Sequence, residues 1–207
     1  MSSYRDPTEP DSAANAEHVL ADASLDHQVR VIDLSRAPGA REAWDRPKWV
    51  VYAWAVVERL FVTNSWQISS SLRVAVLRLF GARIGGGVVF RPRTRVLFPW
   101  KLAIGDRSWI GEGVWIHNQD FVTIGCDVVI SQETFITTGS HAHRRDMALI
   151  TRPIRVEDGA WVTSRCMLLG GTTVGRSALV KPMTLVSGLV EANSIYDWRG
   201  AVGTRHT

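Results

Sequence analysis

The chain has few cysteines and no long apolar run. Its 207 residues include only Cys126 and Cys166, too far apart for a CxxC zinc motif or a dense disulfide framework. The most apolar stretch runs from Trp49 to Val62, contains two charged residues, and is shorter than the ~20 residues of a membrane-spanning helix. The polar, acidic N-terminal segment does not have the apolar core of a signal peptide. We therefore expect a cytoplasmic protein, with contact to the inner face of the membrane left open.

The chain also has fewer acidic than basic residues. The formal net charge is +4 and the sequence pI is about 9.5. An excess of cations favours an anionic partner, such as the phosphates of a nucleotide cofactor, a phospholipid surface or a nucleic acid. The arginines are scattered and form no nucleic-acid motif, so we expect no nucleic-acid partner.

Composition divides the chain into segments. Residues 1–44 are rich in Pro, Ser, Asp and Ala without periodicity, and we interpret them as a flexible tail. Residues 45–82 predict a helical lead-in, with one apolar helix near 49–61 and a second near 72–80. We expect the first helix to cover the end of the structure that follows, since an open strand edge invites aggregation.

A repeat of six residues occupies the main body, residues 83–190. Aliphatic or aromatic residues return at this spacing, and the first three runs start 20 residues apart, at Ile84, Ile104 and Ile124. The repeat positions are Ile84, Phe90, Val96, Ile104, Ile110, Ile116, Ile124, Ile130, Ile136, Val156, Val162, Leu168, Val174, Val180 and Val186. A period of six fits neither a helix nor strand alternation. It predicts an all-β fold, a triangular prism of about five coils with three short strands each, followed by a C-terminal tail over residues 191–207.

A second position tests this interpretation. Two residues before an aliphatic position, this architecture needs a small side chain, because that corner of the prism also faces inward. Nine positions examined in this way all carry small residues: Ser108, Val114, Val128, Thr134, Ala160, Cys166, Thr172, Ala178 and Thr184. For Cys166 this predicts a buried apolar thiol rather than a reactive one.

The register breaks once. Continuing the 20-residue period would start the next coil at position 144, but it starts at Val156, so about twelve residues loop out within 138–155. The insertion carries two of the six histidines, His141 and His143, together with three arginines. Long loops on a rigid scaffold often carry function, so we place the candidate site here.

Several segments carry a resemblance to a known family. The repeat, the segment Ile136-Thr137-Thr138-Gly139-Ser140-His141 and the segment Pro153-Ile154-Arg155-Val156-Glu157-Asp158-Gly159-Ala160-Trp161-Val162 are similar to the hexapeptide-repeat O-acetyltransferases. The similarity is greatest to the colanic-acid and exopolysaccharide biosynthesis branch and spans roughly residues 44–190. It implies a left-handed parallel β-helix, a homotrimer, and transfer of an acetyl group from acetyl-CoA to a sugar hydroxyl without a metal.

The resemblance also implies roles for particular residues. His141 matches the general base, which removes the proton of the attacking hydroxyl. For the acceptor the resemblance points to Asn118, while His143 and Asp146 are candidates without a family match, and either Asp146 or Asp120 is expected to orient the imidazole of His141. For acetyl-CoA the candidates are Trp161, Ser164, Ser187 and Arg176, with Lys181 as a further cation. The family's C-terminal lysine and proline are missing, and Arg199 is a candidate replacement for the lost charge.

Two alternatives stay open at this point. The γ-type carbonic anhydrases share the prism and bind zinc through three histidines, for which His117, His141 and His143 are candidates. The altered C-terminus also allows a non-catalytic scaffold that binds no acetyl-CoA.

Overall fold

The computed structural model describes residues 31–206, and their main body is a parallel β-helix. Six successive turns are built from short strands that differ little in length. In chain order the strands are β1 Arg83–Ile84, β2 Val89–Phe90, β3 Arg95–Val96, β4 Leu102–Ile104, β5 Trp109–Ile110, β6 Trp115–His117, β7 Val122–Ile124, β8 Val129–Ile130, β9 Phe135–Thr137, β10 Gly139–His141, β11 Leu149–Thr151, β12 Ile154–Val156, β13 Trp161–Val162, β14 Met167–Leu169, β15 Thr173–Val174, β16 Leu179–Val180, β17 Leu185–Val186, β18 Leu189–Val190, β19 Ser194–Asp197 and β20 Gly200–Thr204.

Three parallel sheets form the walls of the prism. The first wall is the sheet β1-β4-β7-β12-β15-β18, the second is β2-β5-β8-β13-β16-β19-β20, and the third is β17-β14-β9-β6-β3. Strands of the first three turns pair at an offset of 20 residues, as Ile84 with Ile104 and Ile104 with Ile124. Ile124 then pairs with Val156 across the insertion. The six-residue repeat thus sets which strands stack, as the sequence predicted.

The core is the interior of this prism. All fifteen repeat positions are buried, from Ile84, 8% exposed, to Ile110 and Ile130, both fully buried. The nine small corner residues are buried as well, which confirms that these corners face inward. Burial raises the pKa of the Cys166 thiol, in keeping with an unreactive core residue.

Two helices cover the first turn of the prism. Helix α1 spans Lys48–Val57 and continues into one π-helical turn, Glu58–Val62, and α2 spans Ser70–Leu79. The indole Nε1 of Trp54 donates a hydrogen bond of 2.9 Å to the carbonyl of Val96, and the Glu58 carboxylate accepts one of 2.8 Å from the Val96 N–H. These bonds satisfy the open backbone edge of β3, so the helices cap the prism as expected.

The opposite end differs from the sequence-based prediction. Residues 191–207, predicted to be a C-terminal tail, instead contribute β19 to the second wall and β20 folded back antiparallel on β19, and with β18 they complete a partial sixth turn. The six-residue spacing was hidden because the corner before β18 is shortened to Ser187 and Gly188, and Gly188 has φ +89°. The fold therefore has about six turns rather than five.

The predicted N-terminal tail lies largely outside the described residues. Its last part contains two short 3₁₀ helices, Leu34–Arg36 and Ala40–Trp44. The ammonium group of Lys101, which is 5% exposed, donates to the carbonyl of Ala43 at 2.7 Å and pairs with Asp45 at 2.7 Å. This end of the predicted tail is therefore attached to the prism.

Candidate active site

The insertion between the third and fourth turns is an ordered hairpin rather than a free loop. Strands β10 and β11 pair antiparallel, and His141 lies directly opposite Leu149. The hairpin leaves the prism at the corner between the third and first walls. Its residues are half-buried or exposed, whereas the neighbouring wall positions Ile136 and Val156 are buried. The hairpin residues are therefore accessible to solvent and are not packed in the core.

Close backbone packing fixes the position at which the hairpin leaves the prism. The Thr138 hydroxyl accepts a hydrogen bond of 2.8 Å from the Asp120 N–H, and the Thr138 carbonyl accepts one of 3.0 Å from the Arg152 N–H. A Cβ atom at Gly170 would lie 2.7 Å from the Thr138 carbonyl oxygen, and one at Gly139 would collide with the Gln119 side chain. Gly170 therefore permits a close backbone approach that a larger residue would prevent, whereas at Gly139 the flexible end of Gln119 would have to move.

The imidazole of His141 is oriented by the hairpin's own backbone. Its Nδ1 lies 2.8 Å from the carbonyl oxygen of Met147. A carbonyl can only accept, so Nδ1 carries the proton in this hydrogen bond. In the neutral ring the lone pair then lies on Nε2, which is the arrangement a general base requires.

A tight turn brings the Met147 carbonyl to this place. The Ala142 carbonyl accepts hydrogen bonds from the N–H groups of Asp146 and Met147, both at 3.2 Å, and Met147 has φ +58°. Ala142 donates to the Ala148 carbonyl at 2.9 Å and closes the hairpin above the turn. No sequence motif identified Met147, because its contribution comes from the backbone and not from its side chain.

His141 opens onto a cleft of about 350 Å³ between the hairpin and the later turns. The cleft brings together three of the predicted site residues, His141, His143 and Ser187. Residues that had no individual role assigned from the sequence complete the lining: Thr138, Gly139, Ser140, Ile150, Arg152, Leu169 and Gly170. Ser187 reaches it from the corner after β17, two turns beyond the hairpin. The stacking of the prism thus aligns residues that are 46 positions apart in the chain.

Asn118 does not reach this cleft. Its side chain is fully buried, donates to the Phe98 carbonyl at 2.7 Å and accepts from the Phe98 N–H at 3.0 Å. The amide thereby continues the strand pairing between two neighbouring turns. The structure thus gives no support to the prediction that Asn118 binds the acceptor, because its amide is buried and bonded to the Phe98 backbone.

The acidic candidates also differ from the prediction. The Asp146 carboxylate accepts a hydrogen bond of 3.0 Å from the Ala148 N–H and pairs with Arg145 at 3.4 Å, and the Ala148 N–H lowers its pKa. Asp120 accepts from the Phe121 N–H at 2.7 Å. Asp146 therefore closes the hairpin turn, and the ring of His141 is oriented by a carbonyl and not by either carboxylate.

The predicted cofactor residues lie on different faces of the prism. Trp161 stands on the second wall, 40% exposed, and its Nε1 donates to the Ser131 hydroxyl at 2.9 Å. Ser164, at the corner between the second and third walls, donates to the Gln132 side chain at 3.1 Å. Within a single chain, neither residue lines the cleft of His141.

Each cation proposed for the CoA phosphates has an acidic partner. Arg176 pairs with Asp158 at 3.2 Å, at the corner between the first and second walls. Lys181 and Arg199 both pair with Asp197, at 3.7 and 2.8 Å, and the hydrogen bond from Arg199 is the main cause that lowers the Asp197 pKa to about 2. Arg199 thus stabilises the C-terminal hairpin, and Asp197, which sequence reasoning missed, is its partner.

The three histidines considered for zinc are not grouped. His117 lies on the outer face of the third wall, beside Trp115 and Phe135, and burial followed by the charge of Arg95 lowers its pKa. Among residues 31–206 of one chain, no three His, Cys, Asp or Glu side chains are placed to hold a metal ion. In the same part of the chain, no helix is long and apolar enough to cross a bilayer.

Comparison with known proteins decides the family. Over 153 residues the chain is 34% identical to the Escherichia coli K12 protein named colanic acid biosynthesis acetyltransferase WcaF, covering 73% of this chain and 84% of that protein. The chain belongs to this acetyltransferase family. It is therefore an acyltransferase, which replaces both the zinc-enzyme and the scaffold alternatives. A scan of protein-family models found none that matches the chain.

Solved structures share the fold of this WcaF relative. A hexapeptide-repeat acetyltransferase from Vibrio cholerae, solved with acetyl coenzyme A, matches 77% of this chain and 89% of its own with a TM-score of 0.69 and 22% identity. A galactoside acetyltransferase in complex with coenzyme A matches 81% and 83% with a TM-score of 0.67 and 17% identity. At these identities the similarity establishes the left-handed β-helix fold.

Proposed function

We propose that this WcaF relative transfers an acetyl group from acetyl-CoA to a sugar hydroxyl during exopolysaccharide, capsule or lipopolysaccharide biosynthesis, with His141 as the general base. The observation that carries the proposal is the 2.8 Å contact between the His141 Nδ1 and the Met147 carbonyl. It holds the tautomer whose Nε2 can accept a proton, in a residue that lines an open cleft. Since acetyl-CoA is a cytoplasmic metabolite, the proposal also places the reaction in the cytoplasm.

The chemistry proceeds in one direct transfer. Nε2 of His141 removes the hydroxyl proton as the sugar oxygen attacks the thioester carbonyl, which forms the new C–O bond. The C–S bond then breaks, and the imidazolium returns its proton to the CoA sulfur. The thioester is already activated, so the transfer requires no metal.

The donor side of the proposal rests on the cleft and on the relatives. Ser187 and His143 share the cleft with His141, and we assign Ser187 to the donor and His143 to the acceptor. The solved acetyltransferases from Vibrio cholerae and the galactoside enzyme, whose fold this chain shares, were crystallised with acetyl coenzyme A and coenzyme A respectively.

The remaining cofactor candidates support a homotrimer. Trp161 and Ser164 lie on a wall and a corner that face away from the cleft in a single chain. In a threefold assembly the second wall of one copy can stand beside the cleft of the next, so that each site is built from two chains. The proposed donor site would then comprise Ser187 of one chain with Trp161 and Ser164 of its neighbour.

The test combines binding with turnover. Calorimetric titration with acetyl-CoA is compared for the wild type, His141→Ala and His206→Ala, the last removing an exposed imidazole from the C-terminal segment. Acetyl transfer to a panel of oligosaccharides is then measured. We expect all three to bind acetyl-CoA and only His141→Ala to lose turnover, by about 10²- to 10⁴-fold. A wild type that does not bind acetyl-CoA, or a fully active His141→Ala, would contradict the proposal.

A further inference from the structure

The outer surface of the helical cap is unusually apolar. Of 21 large hydrophobic side chains that are exposed within residues 31–206, nine lie between positions 49 and 79. These are Trp49, Tyr52, Val56, Leu60, Phe61, Trp66, Ile68, Leu72 and Leu79, and we call them the cap surface. Trp66 and Ile68 are 92% and 87% exposed. Such a concentration of exposed apolar side chains in one part of a protein often marks an interaction site.

Helix geometry shows that this surface faces away from the prism. Trp54 of α1 is 2% exposed and packs inward against the first turn. At 100° per residue, Trp49, Tyr52 and Val56 fall on the opposite side of α1, where they are 72%, 61% and 60% exposed. On α2, Leu72 and Leu79 are outward in the same way, seven residues apart. The two helices therefore use one face to cap the core and leave the other face largely exposed, although the ring of Trp44 meets Tyr52 edge to face.

Positive charge surrounds the cap surface. Residues 41–95 contain ten Lys and Arg against three Asp and Glu, a net charge of +7 in a chain whose total is +4, and all of these cations except the buried Arg73 are exposed. Two of these three acids are engaged, Asp45 with Lys101 and Glu58 with the Val96 N–H. Lys48 and Arg59, both exposed, flank the apolar side of α1.

Four of these ten cations lie on the first turn of the prism. Residues 83–97 carry four arginines, Arg83, Arg91, Arg93 and Arg95, and no acidic residue. All four are exposed, directly beneath the helical cap. Tryptophan and tyrosine side chains surrounded by cations suit the interface of an anionic bilayer, where the rings lie at head-group level and the cations meet phosphates.

We propose that the cap surface docks the protein on an anionic phospholipid membrane, with α1 lying in the interface plane and the prism axis pointing away from it. The third turn, from which the catalytic hairpin leaves, lies two strand spacings from the first turn, about 10 Å. The cleft of His141 consequently faces the aqueous layer next to the membrane. Docking does not depend on the acetyl-transfer proposal, since it uses none of the same residues.

Vesicle co-sedimentation tests this proposal. The full chain is mixed with phosphatidylcholine vesicles that contain phosphatidylglycerol, or with phosphatidylcholine vesicles alone, at low and at high salt. We expect binding to the anionic vesicles only, weakened by salt because exposed charges are screened. Replacing Trp49 and Trp66 with Ser should lower the partition coefficient about 10-fold or more, and replacing Lys48 and Arg59 with Gln about 5-fold for each charge at low salt.

Matched controls separate docking from other causes. Trp198→Ser removes a tryptophan that is 81% exposed at the other end of the column, and Arg155→Gln removes an exposed cation of the first wall. Both controls should bind vesicles like the wild type, and thermal unfolding should be unchanged in every variant. Failure of the wild type to bind anionic vesicles, or equal binding by the Trp49 and Trp66 variant, would overturn the proposal. A larger mass in sedimentation velocity for the wild type than for the Trp49 and Trp66 variant would overturn it as well, because the cap surface would then be an interface between copies of this chain.

Discussion

The prism wall and the hairpin that interrupts it are both made of short strands, yet different forces hold them. In the wall, Ile130 and Val162 stack in a fully buried ladder, and burial of apolar surface supplies the stability. In the hairpin, His141 and Ile150 are exposed, and backbone hydrogen bonds such as Ala142 to Ala148 maintain the shape. The difference teaches that stability and chemistry are separated in this molecule: the rigid wall positions a hairpin that contributes little to folding itself.

Truncating one isoleucine in each region should give the largest difference in unfolding free energy between the wall and the hairpin. Ile130→Ala leaves a cavity in the ladder and should cost about 2–5 kcal/mol of unfolding free energy. Ile150→Ala, on the hairpin and 42% exposed, should cost about 1 kcal/mol or less. Chemical denaturation of both variants measures the two values. Equal losses would show that the hairpin and the wall fold and are stabilised as a single unit.

Gly170 joins the two regions, and its substitution should affect the hairpin more than the wall. In Gly170→Ala the new methyl group would lie 2.7 Å from the Thr138 carbonyl, so the hairpin base must move. We expect acetyl transfer to fall about 10-fold or more, since small displacements of a catalytic group are costly. The matched control is Gly203→Ala, whose Cβ would meet no atom within 4 Å. Full activity in Gly170→Ala would show that the close packing of Gly170 against Thr138 is not needed to position His141.

Asp146 allows a finer test of how the hairpin positions His141. Its carboxylate accepts from the Ala148 N–H, so Asp146→Ala should loosen the turn that carries the Met147 carbonyl. We expect kcat to fall by about 3- to 10-fold at unchanged acetyl-CoA affinity, from the loss of one hydrogen bond. Asp146→Asn keeps an acceptor oxygen and should recover most of this loss. A lower acetyl-CoA affinity with unchanged kcat would instead assign Asp146 to binding.

The smallest effect is expected at the far end of the prism, where Asp197 fastens the C-terminal hairpin. Its pKa is lowered to about 2, chiefly by Arg199, so its stabilising contribution is present above the ordinary aspartate pKa. The contribution should disappear as the pH falls from that value towards 2. Hydrogen exchange of the β20 amides should accelerate over this range in the wild type, and Asp197→Asn should exchange fast throughout. Exchange that is independent of both changes would contradict this assignment.

The sequence predicted the wall far better than the site. On the second and third walls the first five turns repeat one rule, an aliphatic or aromatic residue with a small residue two positions earlier, and Val128 with Ile130 or Ala160 with Val162 obey it because the interior is narrow. The sixth turn was not predicted because the corner at Gly188 is shorter than the others, which interrupts the six-residue spacing. In addition, Tyr196 occupies a position where an aliphatic residue was expected. A periodic rule fails wherever the period changes.

Site residues were harder to predict because their roles depend on backbone geometry. Asn118 looked available for a substrate, but its amide pairs with the Phe98 backbone. The group that orients His141 is the carbonyl of Met147, and any residue could supply it. The insertion itself, and with it His141, was visible as a break in the repeat, so sequence located the site and the structure was needed to assign the contacts within it.

The orientation of His141 is the central claim, and nitrogen-15 NMR of the imidazole tests it most directly. The His141 resonances are assigned by comparison with His141→Ala and observed at a pH where the ring is neutral. We expect a protonated Nδ1 and an unprotonated Nε2, because the Met147 carbonyl accepts a hydrogen bond from Nδ1. A ring protonated on Nε2 would contradict it, since its lone pair would then face the hairpin backbone and not the attacking hydroxyl.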